Sequence, residues 1–518
     1  PGACYWNPSR AIPGDVITEF PYFTFIYADL HAHLIAMPIV IFAVGWALSF
    51  LLSKGRWGEN RRENLCGLLI SLLLGGLVIG AIKPTNTWDF YTFLILGCAV
   101  IAFVGWKYGL SVLPRIKRMS PQLSKLMQIG MTIFVFIFLS YVLYQPFNSQ
   151  FHPGFSKVGM WSGEKTPIKS YLTHWGVILF TIVSWFVWES YRWMARTPVS
   201  FFKKLKRYRQ TVTIVGVVFS LAFLLLLVLK VKIALIAVPL CVWALLLLLI
   251  PQQSDVKRFM LFIVGTGLLL TLMVEVVYLE GEIGRMNTVF KFYLQAWLLL
   301  TLVSGAAIVS LLRAHSRWKL HEQLLFQVPL MILVAGVLLF PMLGTISKVK
   351  DRIVPDASQG IDGMGYMQTA WNFDMGVNMD LSQDYRAILW LQDNVSGSPV
   401  ILEGFRGYEY RWNNRMTIYT GLPGVVGWNY HQRQQRGILR NNAVQERVDE
   451  VDKFYLSTNL RFMRGFLEKY QVEYIIVGQV ERAFYPEVDF TKFKQLDGIF
   501  WTKVYEEQET AIYQVIHQ

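Results

Sequence analysis

The sequence has little charge for its length. Only 16% of its 518 residues are Asp, Glu, Lys or Arg, whereas 54% are hydrophobic and 15% are aromatic. This composition excludes an ordinary soluble protein and is typical of a membrane protein with several spans.

Cysteine and familiar catalytic motifs are also scarce. The four cysteines have no metal-binding or disulfide spacing, and Cys66, Cys98 and Cys241 lie inside apolar runs, so a disulfide framework is excluded. The sequence contains no G-x-S-x-G, no phosphate-binding G-x-x-x-x-G-K and no H-E-x-x-H. Readings as a soluble hydrolase, a nucleoside triphosphatase or a zinc protease therefore have no support.

The beginning of the chain lacks a signal peptide. The first residue is Pro1, and the residues after it do not follow the order of basic, apolar and small residues that a signal peptide shows. We therefore expect a fragment whose upstream part, with further spans, is missing.

Acidic residues are fewer than basic ones, which gives a net charge of +14. Most of the excess lies in short loops between apolar runs, where basic residues set orientation and contact anionic lipid. The charge therefore indicates the lipid bilayer as a partner and argues against nucleic acid.

Ten apolar runs approach the roughly 20 residues that a membrane-spanning helix needs. Only helices satisfy the backbone of an isolated segment in lipid. The predicted spans are 34–53, 65–82, 90–106, 127–145, 171–190, 211–229, 233–250, 259–279, 293–312 and 324–346.

Alternate loops differ in basic content, with 21 Lys and Arg residues in one set and 9 in the other. The basic set is predicted to be cytoplasmic, which places both chain ends outside. The polar motifs then share the outer face: Glu19 to His33, Lys83 to Asp89, the loop of His152, and Glu280 to Phe292.

The expected fold is an α-helical polytopic membrane protein with about ten transmembrane helices and a C-terminal extracytoplasmic α/β domain. Residues 1–33 are an outer loop with a motif, 34–346 form the transmembrane domain, and 347–518 form the soluble domain. Within the latter, the patterns predict helices at 385–395 and 459–470, strands at 399–404 and 472–478, and a hairpin over 503–516.

The stretch EFPYFTFIYADLHAH places Glu19, Asp29, His31 and His33 beside the first apolar run. Such groups are costly near hydrocarbon, so they are candidate catalytic residues. In an extended segment, Asp29 and both histidines would lie on the same face, whereas a helix would bring Asp29 and His33 together. Either arrangement suits a general base with its orienting partner, a phosphate site, or a divalent metal on Asp29 and His33. The alternative is that Asp29 caps the first membrane helix while the histidines lie at headgroup level.

The loop KPTNTWD supplies Lys83, Asn86, Trp88 and Asp89 as candidate substrate- and phosphate-binding residues. The alternative is a tight turn with an interfacial tryptophan.

Arg285, Asn287 and Lys291 lead into a later apolar run and suit an anionic lipid-linked substrate, although snorkelling to headgroups explains each cation alone. Glu275, about one turn inside its span, is harder to explain by membrane anchoring.

The soluble domain offers Glu403, Arg406 and the run TGLPGVVGWNYHQRQQR. Within that run, His431 and Arg436 are candidate contacts to sugar or phosphate. The alternative is a surface loop followed by an amphipathic helix.

Several of these stretches together carry a family resemblance. WNPSRAIP, ITEFPYFTFIYADLHAHLIAMP, NTWDF, NTVFKFYLQAW and GLPGVVGWNYHQRQQR resemble the YYY-type membrane proteins, an uncharacterised family of large polytopic proteins. That family is similar to GT-C glycosyltransferases, which use polyprenyl-phosphate sugars at an extracytoplasmic site.

The resemblance implies a transfer reaction. A carboxylate deprotonates an acceptor hydroxyl, the oxygen attacks the sugar C1, and the lipid phosphate leaves with stabilisation from cations or a divalent metal, Mg²⁺ or Mn²⁺. The acceptor would be a glycan, a lipid or a protein. GT-C enzymes usually carry their main acidic residue on the first outer loop, and the expected fragment begins downstream of that loop. The resemblance then implies that Asp29 with its histidines matches a second outer-loop motif, which assists phosphate or metal binding.

Two other functions compete with glycosyl transfer. A transporter or flippase of an anionic or lipid-linked substrate predicts ionisable residues near span centres and internal symmetry, which the sequence does not show. A non-catalytic scaffold explains the soluble domain but not the cluster of Asp29 and the histidines.

Overall fold

The computed structural model describes most of the chain. The described residues are 2–14, 16–110, 120–151, 157–198, 209–280, 284–354, 357–358, 360–436, 438–440 and 442–517. His152, whose loop was predicted to share the outer face with the other motifs, lies outside the described residues.

The chain forms two compact units. The first comprises Pro1–Asn148 and Phe155–Arg352, and the second comprises Ser149–Gly154 and Ile353–Gln518. The division therefore falls close to the predicted boundary at 346/347, and the motif segment 1–33 belongs to the same unit as the apolar helices.

Fourteen described helices belong to the first unit, together with the 3₁₀ turn Asn7–Arg10. They are α1 Gly2–Trp6, α2 Pro21–Tyr27, α3 Ala32–Ser53, α4 Arg61–Thr85, α5 Thr87–Lys107, α6 Pro121–Val142, α7 Gln145–Asn148, α8 Ile168–Met194, α9 Arg209–Val228, α10 Ala234–Leu248, α11 Asp255–Val276, α12 Gly284–His315, α13 Leu320–Leu339 and α14 Thr345–Arg352. Two short strands, β1 Val158–Met160 and β2 Val277–Leu279, pair antiparallel. Each of the ten predicted apolar runs coincides with one of the helices α3 to α6 and α8 to α13.

Eight of the described helices are long and apolar enough to cross a membrane. They are α3, α4, α5, α6, α8, α11, α12 and the continuous segment Leu320–Arg352, which runs from α13 through the π-helical turn Phe340–Gly344 into α14. The apolar helices Gly216–Val228, within α9, and α10 are shorter than that. The helical membrane architecture is therefore confirmed, but the predicted number of ten spans stays a prediction.

Several apolar helices begin at a residue that caps them. The Asn60 side chain accepts a hydrogen bond from the backbone N–H of Glu63, and Ser120 and Ser254 do the same for α6 and α11. Such caps satisfy backbone donors that the first helical turn leaves free, so the helices begin where the basic loops end.

Glycines let the first membrane helices pack closely. Trp46 of α3 stacks on Phe136 of α6 with ring centroids 5.0 Å apart. A Cβ at Gly75 would lie 2.3 Å from the Trp46 ring, and one at Gly97 would lie 2.7 Å from Phe136. Small residues at these positions are therefore needed for α3 to α6 to pack.

The second unit is a small α/β domain around a four-stranded sheet. Its helices are α15 Leu381–Asn394, α16 Arg415–Thr420, α17 Asn429–Gln435, α18 Ala443–Leu456, α19 Leu460–Tyr470, α20 Gln479–Phe484 and α21 Thr491–Gln495, with a 3₁₀ turn at Gly365–Gln368. Its strands are β3 Trp371–Asp374, β4 Val377–Asp380, β5 Val400–Leu402, β6 Val472–Val477, β7 Trp501–Glu507 and β8 Thr510–Val515. All five elements predicted for this domain are confirmed within a few residues.

The sheet has the order β5-β6-β8-β7, and β3 and β4 form a separate hairpin. β5 and β6 are parallel, with Ile401 opposite Tyr474, while β6, β8 and β7 are antiparallel. The carboxyl ends of β5 and β6 therefore meet at one edge, where Glu403 and Gly478 follow the strands.

Candidate functional site

The segment from Glu19 to His33 folds as a short helix and a turn. α2 ends at Tyr27, and Ala28 has a left-handed φ of 59° that redirects the chain before α3 begins at Ala32. The segment is therefore neither fully extended nor fully helical: His31 is extended and lies beside Asp29, whereas His33 already belongs to α3.

The two carboxylates and two imidazoles of this segment form two different pairs. His31 Nδ1 lies 3.2 Å from Asp29 Oδ2, and both side chains are more than half exposed. His33 Nε2 lies 3.6 Å from Glu19 Oε2, with side-chain exposures of only 9% and 12%. The partner of His33 is therefore Glu19, whereas the helical arrangement considered from the sequence paired it with Asp29.

His33 has an unusual environment for an imidazole. Both of its ring nitrogens are buried and have no hydrogen-bond partner among the described residues. Its ring meets Phe290 edge-on at 4.6 Å, and Thr24 donates a hydrogen bond of 3.2 Å to Glu19. Buried polar atoms without partners cost free energy, so this pair is a candidate for binding or chemistry.

The alternative role for Asp29, as the cap of the first membrane helix, is wrong. The residue at the cap position of α3 is His31, and no side-chain hydrogen bond caps that helix.

A divalent metal on Asp29 and His33 is not supported by the donor set. Among the described residues, no group of three or more His, Cys, Asp and Glu side chains is placed to hold a metal ion. Two donors on differently exposed side chains are fewer than protein metal sites commonly use. The metal stays a prediction, and no step below depends on it.

The stretch KPTNTWD is a junction between two helices and not an open loop. α4 continues through Lys83 and Pro84 to Thr85, and α5 begins at Thr87, so only Asn86 lies between them. Asp89 therefore sits in the first turn of α5 and is buried.

The Asp89 carboxylate is bound by a residue from a distant part of the sequence. Gln295 of α12 donates a hydrogen bond of 2.7 Å from Nε2 to Asp89 and accepts one of 2.6 Å from Thr92 at Oε1. Lys291 Nζ lies over the Trp88 ring, 5.9 Å from its centroid. The structure thus joins the start of α5 to the start of α12 through polar contacts.

The first turns of α12 connect both groups of candidates. Asn287, Lys291 and Gln295 are spaced by four residues and share one face of the helix. Phe290, next to Lys291, contacts His33. His33, the partner of Glu19, and Asp89 therefore contact the same segment of α12, within the first unit.

Lys83 has other neighbours. Its ammonium lies 4.7 Å from the centroid of Tyr141 in α6 and 5.9 Å from that of Phe90 in α5. These are cation–π distances, so aromatic rings of neighbouring helices stabilise the charge.

Arg285, predicted to bind phosphate, is buried against Glu275. Its Nη2 lies 2.5 Å from Glu275 Oε1 and 2.8 Å from the hydroxyl of Thr166. Nη1 donates to the carbonyl of Glu164, and the Thr166 N–H donates to Glu275. The ion pair explains why Glu275 is tolerated at the end of α11, and it occupies donors that a phosphate would need.

Replacing Glu275 with glutamine is expected to lower the free energy of unfolding of the first unit by about 2 kcal/mol, because it leaves the buried Arg285 without its countercharge. Thermal unfolding of the full chain in detergent measures the loss. Glu164→Gln, which neutralises an exposed carboxylate nearby, is the control. Equal melting temperatures for the two variants would contradict this account of the pair.

The candidates in the second unit fall in different places. Arg436 lines a cavity of about 750 Å³, while His431 Nε2 lies 2.8 Å from the hydroxyl of Tyr410. Arg406 pairs with Glu487 at 2.7 Å. Glu403 accepts the backbone N–H groups of residues 416 and 417 and so caps α16.

The same unit contains a buried charge cluster that sequence reasoning missed. Arg415 Nε lies 2.9 Å from Asp384, and its Nη2 lies 2.9 Å from Glu481. Nη1 lies 3.5 Å from Glu403, and all four side chains are at most 3% exposed. Burial raises the pKa of Asp384 and of Glu403, and the attraction of Arg415 opposes that rise. Burial also acts to raise the pKa of Glu481, but Arg415 and two backbone N–H groups outweigh it and lower that pKa.

Comparison with known proteins identifies the family. No curated protein matches the chain. Residues 2–300 match the model of a family described as Uncharacterized membrane protein (DUF2298), which confirms the expected membership of an uncharacterised membrane family. With its apolar helices, the chain is an integral multi-pass membrane protein in contact with the lipid bilayer. It belongs to the Uncharacterized membrane protein family DUF2298.

Proposed function

We propose that this protein is a GT-C-type glycosyltransferase that transfers a sugar from a polyprenyl-phosphate donor to an acceptor at the extracytoplasmic face. One observation carries the proposal. The buried imidazole of His33, beside Glu19, contacts the segment of α12 that also brings Lys291 to Trp88 and Gln295 to Asp89.

The proposed chemistry needs a base and a site for a leaving phosphate. Glu19 takes the proton of the acceptor hydroxyl, with His33 as its partner. The freed oxygen attacks the sugar C1, the bond from C1 to the phosphate oxygen breaks, and its electron pair leaves with the lipid phosphate. The positive charge of Lys291 stabilises that phosphate, and the amide of Asn287 lies on the same face of α12.

The neighbours of Lys291 suit this role. The Trp88 ring below the ammonium provides a flat surface for a sugar or an isoprenoid unit. The buried Asp89 accepts a hydrogen bond from Gln295, which lies one helical turn after Lys291 on α12. In the proposal, Asp29 and His31 line the exposed approach to this site.

The distribution of basic residues supports an extracytoplasmic location for the proposed site. The loops at the opposite helix ends hold 21 of the 30 Lys and Arg residues counted in the two sets of loops, with residues 1–33 included. The C-terminal domain then lies outside as well, where a glycan, lipid or protein acceptor is available.

The direct test supplies the purified full-length protein with polyprenyl-phosphate sugars and candidate acceptors. Formation of a new glycosidic bond, detected by mass spectrometry, is the expected result. Movement of intact lipid-linked substrate across vesicles without a new bond would replace the proposal with a transporter, and neither activity across the donor panel would favour a scaffold.

Lys291→Met is expected to slow sugar transfer by about tenfold to a hundredfold, because one charged contact to the phosphate is lost. The matched control is Lys169→Met, which removes an exposed lysine at the start of α8. The loss should appear with every donor that shares the phosphate group. Equal rates for the two variants would remove Lys291 from the phosphate site.

A further inference from the structure

The second unit contains a large cavity that the proposed transfer site does not use. Its volume is about 750 Å³, and it lies between α16, α17, α18 and the loop from Pro423 to Trp428. Cavities of roughly 300–1,000 Å³ are typical of sites for small organic ligands. Space for a disaccharide or trisaccharide is therefore available.

The charged residues that line this cavity are all basic. Arg436 and Arg447 belong to the lining, and no Asp or Glu does among its described residues. The side chain of Arg436 makes no hydrogen bond or ion pair with a described residue, whereas Arg447 donates to the carbonyl of Val425 at 3.2 Å. Planar guanidinium groups bind carboxylate and phosphate with paired hydrogen bonds, so the lining favours an anion.

A buried amide in the lining lacks a partner. Asn414 is 7% exposed, and its Nδ2 has no hydrogen-bond partner among the described residues. Its backbone is left-handed with a φ of 59°, a conformation that asparagine and glycine adopt readily. Burial of an amide donor without a partner costs free energy, so a hydroxyl or carbonyl oxygen of a ligand is the acceptor that would complete it.

An aromatic ring completes the lining. Trp428 packs against Tyr410, with centroids 5.2 Å apart, and its Nε1 donates to Asn413 at 3.4 Å. His431, which is hydrogen-bonded to Tyr410, also packs against the Trp428 ring. These contacts fix the indole, and a fixed flat apolar surface suits the apolar face of a pyranose ring.

We infer that this cavity is a binding site for an anionic saccharide, one that carries a carboxylate or phosphate group. The guanidinium of Arg436 binds the anionic group, Trp428 stacks on a sugar ring, and the Asn414 amide donates to a sugar oxygen. The inference concerns binding alone and does not depend on the proposed transfer activity.

The test measures binding to the full chain in detergent by isothermal titration and ligand-observed NMR. The probes are trigalacturonate, glucose 1-phosphate, neutral maltotriose, inorganic phosphate and a triglutamate peptide. We expect trigalacturonate or glucose 1-phosphate to bind, and maltotriose, phosphate alone and the peptide to bind at least tenfold more weakly. Comparison of the two anionic sugars tells carboxylate from phosphate recognition.

Two variants and a matched control make the test specific. Arg436→Gln should weaken binding of the anionic sugar about tenfold, and Asn414→Gly about fivefold. Glycine accepts the left-handed backbone, so Asn414→Gly removes the amide without straining the fold. Arg433→Gln changes an exposed arginine of α17, three residues before Arg436 and outside the lining, and should have no effect.

Four results would overturn the inference. These are no binding of either anionic sugar, equal binding of maltotriose, equal binding of phosphate or triglutamate, and an equal loss in the Arg433→Gln control. The first two exclude an anionic-sugar site. Equal binding of phosphate or the peptide indicates a general anion site, and the last indicates attraction by net charge.

Discussion

Glu19→Gln is expected to lower the rate of sugar transfer by about 10²–10⁴-fold, the usual effect of removing a general base. Glutamine keeps the size of the side chain and still accepts the hydrogen bond that Thr24 donates to Glu19. It cannot take up a proton from an acceptor hydroxyl. Single-turnover formation of the glycosidic bond at saturating donor measures the effect, and donor binding should stay unchanged.

Asp29→Asn provides the comparison for Glu19. The Asp29 side chain is 53% exposed and paired with an equally exposed histidine, so its loss should cost less than about tenfold in the same assay. The opposite ranking, with Asp29→Asn inactive and Glu19→Gln active, would assign the base to Asp29. The two residues are ten positions apart on one segment, which makes them a close internal control.

The helices of the membrane unit were the most predictable part of this protein. An apolar run of about 20 residues leaves its backbone no partner in lipid except itself, so composition alone predicts a helix. The same argument does not fix helix length, since Asn86 alone separates α4 from α5 where a seven-residue loop was predicted. Pro84 within the last turn of α4 obscured that boundary.

The partners of the candidate residues were harder to predict than the candidates themselves. His33 pairs with Glu19 and not with Asp29 because Ala28 turns the chain between α2 and α3, and no residue type requires that turn. The spacing of Asn287, Lys291 and Gln295 was a usable signal for one polar face of α12. The contact of Gln295 with Asp89 joins positions too far apart for any local pattern to show.

In the second unit, the spacing of apolar residues predicted the strands and helices near the sheet. The cluster around Arg415 could not be predicted from the sequence because its carboxylates come from α15, from the end of β5 and from α20. Charges normally lie at the surface, so an arginine in the sequence gives no indication that it is fully buried. Only the parallel pairing of β5 and β6, which brings Glu403 and the start of α20 to one edge, makes the cluster understandable.

Arg415→Met is expected to unfold the second unit or to destabilise it by about 3–5 kcal/mol at pH 7, the range measured when one partner of a buried ion pair is removed. Methionine fills much of the same volume but leaves Asp384, Glu403 and Glu481 buried without a cation. Hydrogen exchange of peptides from β5 and β6 in the full chain reports on this unit alone. Arg440→Met, which breaks an exposed ion pair with Glu446, is the matched control and should change exchange little.

The loss caused by Arg415→Met should shrink as the pH falls from 7 toward 4. The pKa of Glu481 is lowered in the folded protein, so its ionised form contributes stability above the ordinary value of 4.5, and this contribution fades as the pH drops through the lowered pKa. In the variant that contribution is absent, and the three buried carboxyl groups become less costly once they are protonated. A destabilisation that stays constant or grows in acid would contradict this role for Arg415. Arg415→Lys should recover part of the protection from hydrogen exchange at pH 7, because it restores the charge without the paired hydrogen bonds.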